Sequence, residues 1–213
     1  MKRVLLAAIL CVSAPTLAFA AEGTTQDPFT HGSVEAGAAK AATCTACHGP
    51  GGNSANPEWP KLAGQSAHYV SEQLHRFKSG ERKNPLMQPQ AAGLSDEDIA
   101  NLAAYFAAQP ASPGVASVDA VPVAQKLFRS GDASRGLPAC AACHGPTGAG
   151  VSPAAFPRIG GQHSVYVASR LKMYRDDSKS ALPDGTHKIM AEVAAKLSDE
   201  EIAALASYVN GLQ

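Results

Sequence analysis

Large apolar side chains are scarce in this sequence of 213 residues. Leu, Ile, Val and Phe number 40 together, whereas alanine alone numbers 41. So low a content of bulky residues approaches that of disordered chains, but those chains usually carry a high net charge, and here the formal net charge is zero. The composition therefore predicts a folded protein in which something other than ordinary side chains fills part of the core.

An excess of basic residues is also lacking, because 18 Lys and Arg are matched by 18 Asp and Glu. Proteins that bind nucleic acid by neutralising phosphates show a marked excess of Lys and Arg. We therefore expect no nucleic-acid partner. After the N-terminal segment, no stretch approaches the roughly 18 consecutive apolar residues of a membrane-spanning helix, so none is predicted.

The N-terminus has the pattern of a secretory signal. Two basic residues precede an apolar stretch over residues 4–12, and an A-x-A cleavage site follows at residues 18–20. We expect residues 1–20 to be removed by cleavage after Ala20 and the remainder to be periplasmic. Cys11 lies in this segment and raises a lipid anchor as an alternative, although no small residue stands directly before it.

The other four cysteines form two copies of one pattern, Cys44-Thr45-Ala46-Cys47-His48 and Cys140-Ala141-Ala142-Cys143-His144. Four cysteines in an exported chain would ordinarily indicate two disulfides. Two copies of C-x-x-C-H are too specific to be explained in that way, because disulfide formation gives no reason for the histidine that follows.

Covalent haem attachment accounts for this spacing. Thiols three residues apart at the start of a helix project to one side, where they can add to the two vinyl groups of one haem. The following histidine then reaches the iron as its proximal ligand. A thioredoxin-like dithiol and a four-thiolate zinc site are the alternatives, and both leave the histidines without a role. The sequence thus predicts two covalently bound haem c groups, attached through Cys44, Cys47, Cys140 and Cys143 and ligated by His48 and His144.

Both motifs belong to an internal repeat that spans most of the chain. A proline–apolar–glycine segment follows each motif, at residues 60–65 and 157–162, and each half closes with a related segment, at residues 94–99 and 197–202. A stretch with proline and glycine but no helical periodicity separates the halves. We predict an N-terminal domain over residues 21–109, a linker over residues 110–122 and a C-terminal domain over residues 123–213.

The closing segments carry strong helix signals. Ser95 and Ser198 are predicted N-caps, and Asp98 and Glu201 complete capping boxes. Apolar residues then recur at positions i, i+3 and i+7 and define one buried face. Because no strand pattern is present, the predicted fold is all-α, with two tandem domains that each wrap around one haem.

Methionine is scarce, and its positions indicate the second axial ligand of each iron. Met87 and Met190 each lie seven residues before the leucine that opens a closing segment, whereas Met1 is lost with the signal and Met173 has no counterpart. A thioether ligand favours ferrous iron and raises the reduction potential relative to two histidines. We therefore predict axial ligation by Met87 and Met190, with gap filling in the core as the alternative.

The remaining histidines have no counterpart in the other half, so we expect surface or hydrogen-bonding roles for them. His187 lies three residues before Met190 and is a competing candidate for the iron. These unmatched residues are His31, His68, His75, His163 and His187.

The chain resembles the dihaem cytochromes of the cytochrome c4 family through both C-x-x-C-H motifs, both methionines and both Pro-x-Leu/Ile-x-Gly-Gln segments. The resemblance covers essentially the whole mature chain and implies two class I cytochrome c domains with haems close enough for rapid electron exchange. It also implies that the carbonyls of Pro60 and Pro157 accept hydrogen bonds from the proximal histidines. The two halves differ in the interval from the motif histidine to the methionine, which is 39 residues in the first half and 46 in the second.

With both axial positions filled, the expected chemistry is exchange of single electrons, so we expect an electron carrier rather than an enzyme. The resemblance implies quinol–cytochrome c reductase as donor and a haem-copper terminal oxidase as acceptor. It is compatible with a monomer that associates peripherally with the membrane. The alternatives are a cytochrome subunit of a larger dehydrogenase and a dihaem peroxidase.

The two halves also differ in charge. Residues 21–114 carry 6 basic and 9 acidic residues, a net charge of −3, whereas residues 115–213 carry 10 and 9, a net charge of +1. Either this dipole orients the protein between its partners, or it is variation of a solvated surface.

Overall fold

In the part of the chain that the structure describes, the internal repeat corresponds to two sets of five α-helices in the same order. The computed structural model describes residues 31–178 and 185–213, so the predicted signal, its cleavage site and Cys11 lie outside the described residues. The first set comprises α1 (Val34–Lys40), α2 (Thr45–His48), α3 (Ala67–Ser79), α4 (Met87–Ala92) and α5 (Asp96–Ala107). The second set comprises α6 (Val121–Ser130), α7 (Ala141–His144), α8 (Ser164–Asp177), α9 (Thr186–Ala194) and α10 (Asp199–Asn210).

The β-structure of the described ranges is limited to two isolated bridges, and no strand forms there. This confirms the all-α prediction. Short 3₁₀ turns supplement the helices at Ala41–Thr43, Pro50–Gly52, Val118–Ala120, Ala133–Arg135 and Ser152–Ala154. Across residues 31–178 and 185–213, no helix is both long and apolar enough to cross a membrane.

The closing helices α5 and α10 begin as the sequence predicts. Ser95 Oγ accepts a hydrogen bond from the Asp98 N–H at 3.0 Å, and the Asp98 carboxylate accepts one from the Ser95 N–H at 3.0 Å. Ser198 and Glu201 repeat this capping box at 3.2 and 3.0 Å. Each box satisfies two backbone donors that the first helical turn leaves without a partner. The predicted apolar faces are buried through Ile99, Leu102, Phe106, Ile202, Leu205 and Val209.

The core of each domain forms against its closing helix. In the first domain α1 and α3 pack on α5, and in the second domain α6 and α8 pack on α10. The main buried cluster of the first domain consists of Ala41, Ala67, Val70, Leu102, Ala103 and Phe106. The cluster of the second domain is larger and contains Ala124, Leu127, Phe128, Leu137, Leu197, Ile202, Leu205, Tyr208 and Val209. Since three of its six members are alanine, the main cluster of the first domain contains little side-chain volume.

The segment between α5 and α6 is bonded to both domains. The Asn53 side chain accepts a hydrogen bond from the Ser112 N–H at 2.8 Å, and the Asn210 side chain accepts one from the Val115 N–H at 3.1 Å. Pro122 is the second residue of α6, a position where the absence of an N–H costs nothing. The connection therefore runs along the surface of the paired domains.

Candidate functional site

Each C-x-x-C-H motif forms a single helical turn. Cys44 is the residue before α2, and Cys140 holds the same place before α7. The His48 N–H donates to the Cys44 carbonyl at 2.8 Å, and the His144 N–H donates to the Cys140 carbonyl at 2.9 Å. The next residue in each motif is a glycine with positive φ, 75° in the first and 77° in the second, which ends the turn. In each domain, this single helical turn therefore brings two thiols and one imidazole close together.

The four cysteines form neither the disulfides nor the shared zinc site that the sequence raised as alternatives. No disulfide joins them. Cys44 packs against the buried cluster of the first domain and Cys140 against that of the second. Among the residues that the structure describes, no three His, Cys, Asp or Glu side chains assemble into a metal-binding group, so the two pairs do not meet in a zinc site. Burial raises the pKa of the Cys44 thiol, and it raises that of Cys140 to about 11.

The two motif histidines are buried and similarly bonded. Each is 7% exposed. The Nδ1–H of His48 donates to the Pro60 carbonyl at 2.9 Å, and the Nδ1–H of His144 donates to the Pro157 carbonyl at 2.9 Å. Burial lowers the pKa of both imidazoles, against the smaller raising effect of the carbonyl hydrogen bonds. Each ring is therefore favoured as the neutral form with the Nε2 lone pair available, which is the form that binds haem iron.

The segments that follow Pro60 and Pro157 pack closely against a glycine main chain, which holds the two prolines in place. The Gly52 carbonyl accepts hydrogen bonds from the N–H groups of Leu62 at 2.7 Å and Ala63 at 3.2 Å. The Gly148 carbonyl likewise accepts from Ile159 at 2.8 Å and Gly160 at 2.9 Å. Gly52 has a φ of +79°, and a Cβ there would lie 2.9 Å from the Ala63 nitrogen. Gly148 has a φ of +69°, and a Cβ there would lie 2.8 Å from the Gly160 nitrogen. Glycine is required at both positions for conformation and for space.

The two predicted methionines lie on corresponding helices, but at different positions along them. Met87 is the first residue of α4, where Asn84 Oδ1 accepts hydrogen bonds from the N–H groups of Leu86 and Met87, both at 2.9 Å. Met190 is the fifth residue of α9. Both side chains are half-buried. The longer histidine-to-methionine interval of the second domain therefore includes an additional helical turn before the methionine.

Three of the unmatched histidines form the hydrogen bonds expected of them. His68 and His163 contact main-chain carbonyl oxygens of the other domain, at 3.2 and 2.8 Å. His187 Nε2 lies 3.1 Å from an Asp177 carboxylate oxygen, and its ring centroid is 5.0 Å from that of Tyr174. The Asp177 carboxylate thus engages one ring nitrogen of His187, the candidate that competes with Met190 for the iron.

A half-buried polar cluster also joins the domains. Arg82 donates to the Tyr166 hydroxyl at 3.1 Å and to the Gln73 side chain at 2.6 Å. Its guanidinium lies 4.5 Å from the Phe77 ring centroid. Burial raises the pKa of Tyr69 in the same cluster, so this phenol stays neutral across the physiological range.

Two functional candidates were missed by sequence reasoning, Gln65 and Gln162. Both are buried, at 7% and 8% exposure, and both form hydrogen bonds to the other domain. The available signal was their repetition at the end of the two proline–glycine segments. A buried polar side chain that recurs in a repeat needs a specific partner, and the sequence does not show which one.

Comparisons with known proteins agree with this arrangement. The cytochrome c family pattern matches residues 34–109 and 124–213. Cytochrome c4 of Pseudomonas aeruginosa is 48% identical over 181 residues, covering 85% of this chain and 89% of that protein. The crystal structure of reduced recombinant cytochrome c4 from Pseudomonas stutzeri matches with a TM-score of 0.81 and 43% identity, covering 85% of this chain and 100% of that one. A Stutzerimonas stutzeri protein named thiosulfate dehydrogenase electron acceptor is 39% identical over 173 residues, covering 79% of this chain and 78% of that protein.

Two helical domains, each with a C-x-x-C-H turn and a histidine bonded to a proline carbonyl, define a c-type cytochrome with two covalently bound haem c groups. The chain belongs to the cytochrome c4 family. Like its cytochrome c4 relatives, it is an electron-transfer protein and not an enzyme. These findings confirm the predicted fold class, cofactors and carrier role, and they give no support to the peroxidase alternative.

Proposed function

We propose that each domain holds its haem through its own motif and its own methionine. The hydrogen bond from each histidine Nδ1 to a proline carbonyl carries this assignment, because it leaves Nε2 as the metal-binding atom of the ring. The half-buried methionines on α4 and α9 supply the second ligand. The proposed attachment residues are Cys44, Cys47, Cys140 and Cys143, and the proposed iron ligands are His48, Met87, His144 and Met190.

A haem group, when bound, supplies reversible one-electron exchange between Fe(II) and Fe(III). Because a histidine and a methionine would both hold each iron in this assignment, no position on the iron would remain for a substrate. The protein then holds the ligands, excludes water and sets the reduction potential. The Pro60 and Pro157 carbonyls contribute by holding the proton on each Nδ1, which strengthens Nε2 as a donor to iron.

Visible and near-infrared spectra of methionine variants test the assignment. Met87→Ala and Met190→Ala should each remove about half of the methionine–iron band of the oxidised protein, because each deletes one of two sulfur ligands. Met173→Leu is the matched control and should keep the full band. A redox titration of the wild type should resolve two low-spin centres. A full band in either alanine variant would reject the methionine at that position.

We also propose that the mature chain begins after Ala20 and acts in the periplasm as a monomer. There it would carry electrons from a quinol–cytochrome c reductase to a haem-copper terminal oxidase. The secretory pattern and the family membership support this proposal. N-terminal sequencing, sedimentation and cell fractionation test the processing, the oligomeric state and any peripheral association with the membrane. Rapid oxidation of the reduced protein by the oxidase is the expected kinetic result.

A second candidate function is that of a cytochrome partner or subunit of a dehydrogenase. The relative named thiosulfate dehydrogenase electron acceptor favours it specifically. Stopped-flow rates distinguish the two proposals, with the protein offered in turn to a quinol–cytochrome c reductase and to a thiosulfate dehydrogenase. Faster reduction by the dehydrogenase, or stable co-purification with one, would favour the second candidate over the first.

A further inference from the structure

Gln162 of the second domain pairs with the main chain of the first domain at Lys61. Its Oε1 accepts a hydrogen bond from the Lys61 N–H at 2.9 Å, and its Nε2 donates to the Lys61 carbonyl at 2.9 Å. The amide side chain thus satisfies both backbone groups of one residue. At neutral pH, where carboxyl groups are ionised and only accept, the primary amide is the side-chain group that carries the required acceptor and donor side by side.

Gln65 of the first domain makes the reciprocal pair with Arg158 of the second. Its Oε1 accepts from the Arg158 N–H at 2.8 Å, and its Nε2 donates to the Arg158 carbonyl at 2.9 Å. We call these two contacts the crossed glutamine pairs. They lie in buried surroundings, where hydrogen bonds are stronger than in water.

Each crossed pair ends on the peptide group that also bonds a motif histidine. The Pro60 carbonyl and the Lys61 N–H belong to one peptide group, which accepts from His48 Nδ1–H on one side and donates to Gln162 on the other. In the other domain, the peptide group between Pro157 and Arg158 accepts from His144 and donates to Gln65. Each motif histidine is therefore connected to a glutamine of the opposite domain through a single peptide group.

We propose that Gln65 and Gln162 are positioning residues that tune the iron ligand of the opposite domain. This inference rests on the proposed ligation by His48 and His144. Hydrogen bonds in a chain polarise one another, so donation from Lys61 to Gln162 makes the Pro60 carbonyl a stronger acceptor. A stronger acceptor increases the basicity of His48 Nε2 and stabilises ferric iron, which lowers the reduction potential. The potential of each haem thereby depends on the correct docking of the other domain.

A purely adhesive role for the glutamines makes a different prediction. Adhesion lost at the interface would loosen both domains and would affect both haems, or neither, for either variant. Tuning through the peptide group is crossed, because Gln162 acts on the haem attached at Cys44 and Gln65 on the haem attached at Cys140. The identity of the affected haem therefore distinguishes the two roles.

The test uses the full haem-loaded chain with Gln162→Leu and Gln65→Leu. In the reduced, diamagnetic protein, ¹H–¹⁵N spectra report the Nδ1–H of each proximal histidine. Gln162→Leu should move the His48 resonance upfield and leave that of His144 in place, and Gln65→Leu should do the reverse. Redox titration should show an upward shift in the potential of the same single haem.

Two further variants complete the experiment. Ser152→Ala removes the interdomain hydroxyl contact to Ser66, at 3.0 Å, without touching either proline peptide, and it should move neither resonance. Gln162→Asn keeps an amide that is one methylene shorter, so it should give a smaller His48 shift and serves if the leucine variant does not fold.

Shifts of both histidines in each glutamine variant, shifts in Ser152→Ala of equal size, or no shift at all would overturn the inference. These results leave the proposed function standing if visible spectra still show two His/Met centres. Absence of the His/Met bands from the wild-type spectrum would instead reject the proposed ligation by histidine and methionine.

Discussion

Gly37 of α1 lies directly against the main chain of Asn101 in α5. A Cβ added at Gly37 would be 2.0 Å from the Asn101 carbonyl oxygen and 2.7 Å from the Tyr105 Cβ. Helices that approach so closely need a glycine at the crossing, because backbone atoms cannot rotate out of the way as side chains can. The first and last helices of the N-terminal domain can therefore pack this closely only because residue 37 is glycine.

Gly37→Ala should destabilise the N-terminal domain. The methyl group has no space unless the two helices separate, and overpacking of this kind costs about 1–3 kcal/mol. Denaturant unfolding followed by circular dichroism and haem absorbance measures the change in free energy. Gly93→Ala is the matched control, since a Cβ there would meet nothing within 4 Å, and it should be neutral or slightly stabilising. Equal stability of both variants would contradict the close helix crossing.

Acid should destabilise the protein through Asp98. The hydrogen bond from Lys40, at 2.9 Å, and the capping contacts of Ser95 lower the pKa of this carboxyl to about 2. Because the folded pKa lies below the ordinary value of about 3.9, the stabilisation is complete above that value and is lost as the pH falls towards 2. Melting temperatures measured between pH 2 and 7 should show this loss.

The substitution Asp98→Asn should reduce that dependence on pH and should lower the melting temperature at neutral pH. Glu97→Gln, at the exposed neighbouring position, should keep the wild-type profile. A profile in Asp98→Asn as steep as that of the wild type would show that other carboxyl groups control acid unfolding.

Removal of the N-terminal haem should unfold the N-terminal domain. The double substitution Cys44→Ala, Cys47→Ala prevents attachment there, and half of the main buried cluster of that domain is alanine. Limited proteolysis should then cleave this variant within residues 34–109. The matched Cys140→Ala, Cys143→Ala variant, which lacks the C-terminal haem, should instead be cleaved first in the C-terminal domain. A cooperative thermal transition of the haem-free N-terminal domain would refute the prediction.

Asn84→Ala should weaken the hold on Met87. The Asn84 side chain accepts from two N–H groups at the start of α4, and loss of such a cap costs about 1 kcal/mol. Added imidazole should therefore displace the N-terminal methionine about five times more readily, as measured by titration of the methionine–iron band. The C-terminal haem should be unaffected, because Met190 lies inside α9. Equal sensitivity of both haems would contradict this role.

Much of the structure follows from short-range sequence patterns. The capping boxes at Ser95 and Ser198 and the helical turns at Cys44 and Cys140 join groups no more than four residues apart, so local geometry alone determines them. The sequence also indicated the buried faces of α5 and α10 through their helical period. It predicted equivalent methionines, but it did not reveal that one begins its helix and the other lies within a helix.

The sequence by itself determined that the chain has two haem-binding domains, because covalent attachment and capping require particular residues at fixed short spacings. Only the tertiary structure decided how those domains act on each other. Gln65 bonds Arg158 across 93 residues, and Gln162 bonds Lys61 across 101. A side-chain amide has no periodicity that names its partner, so such contacts exist only once two folded domains bring their proline segments together.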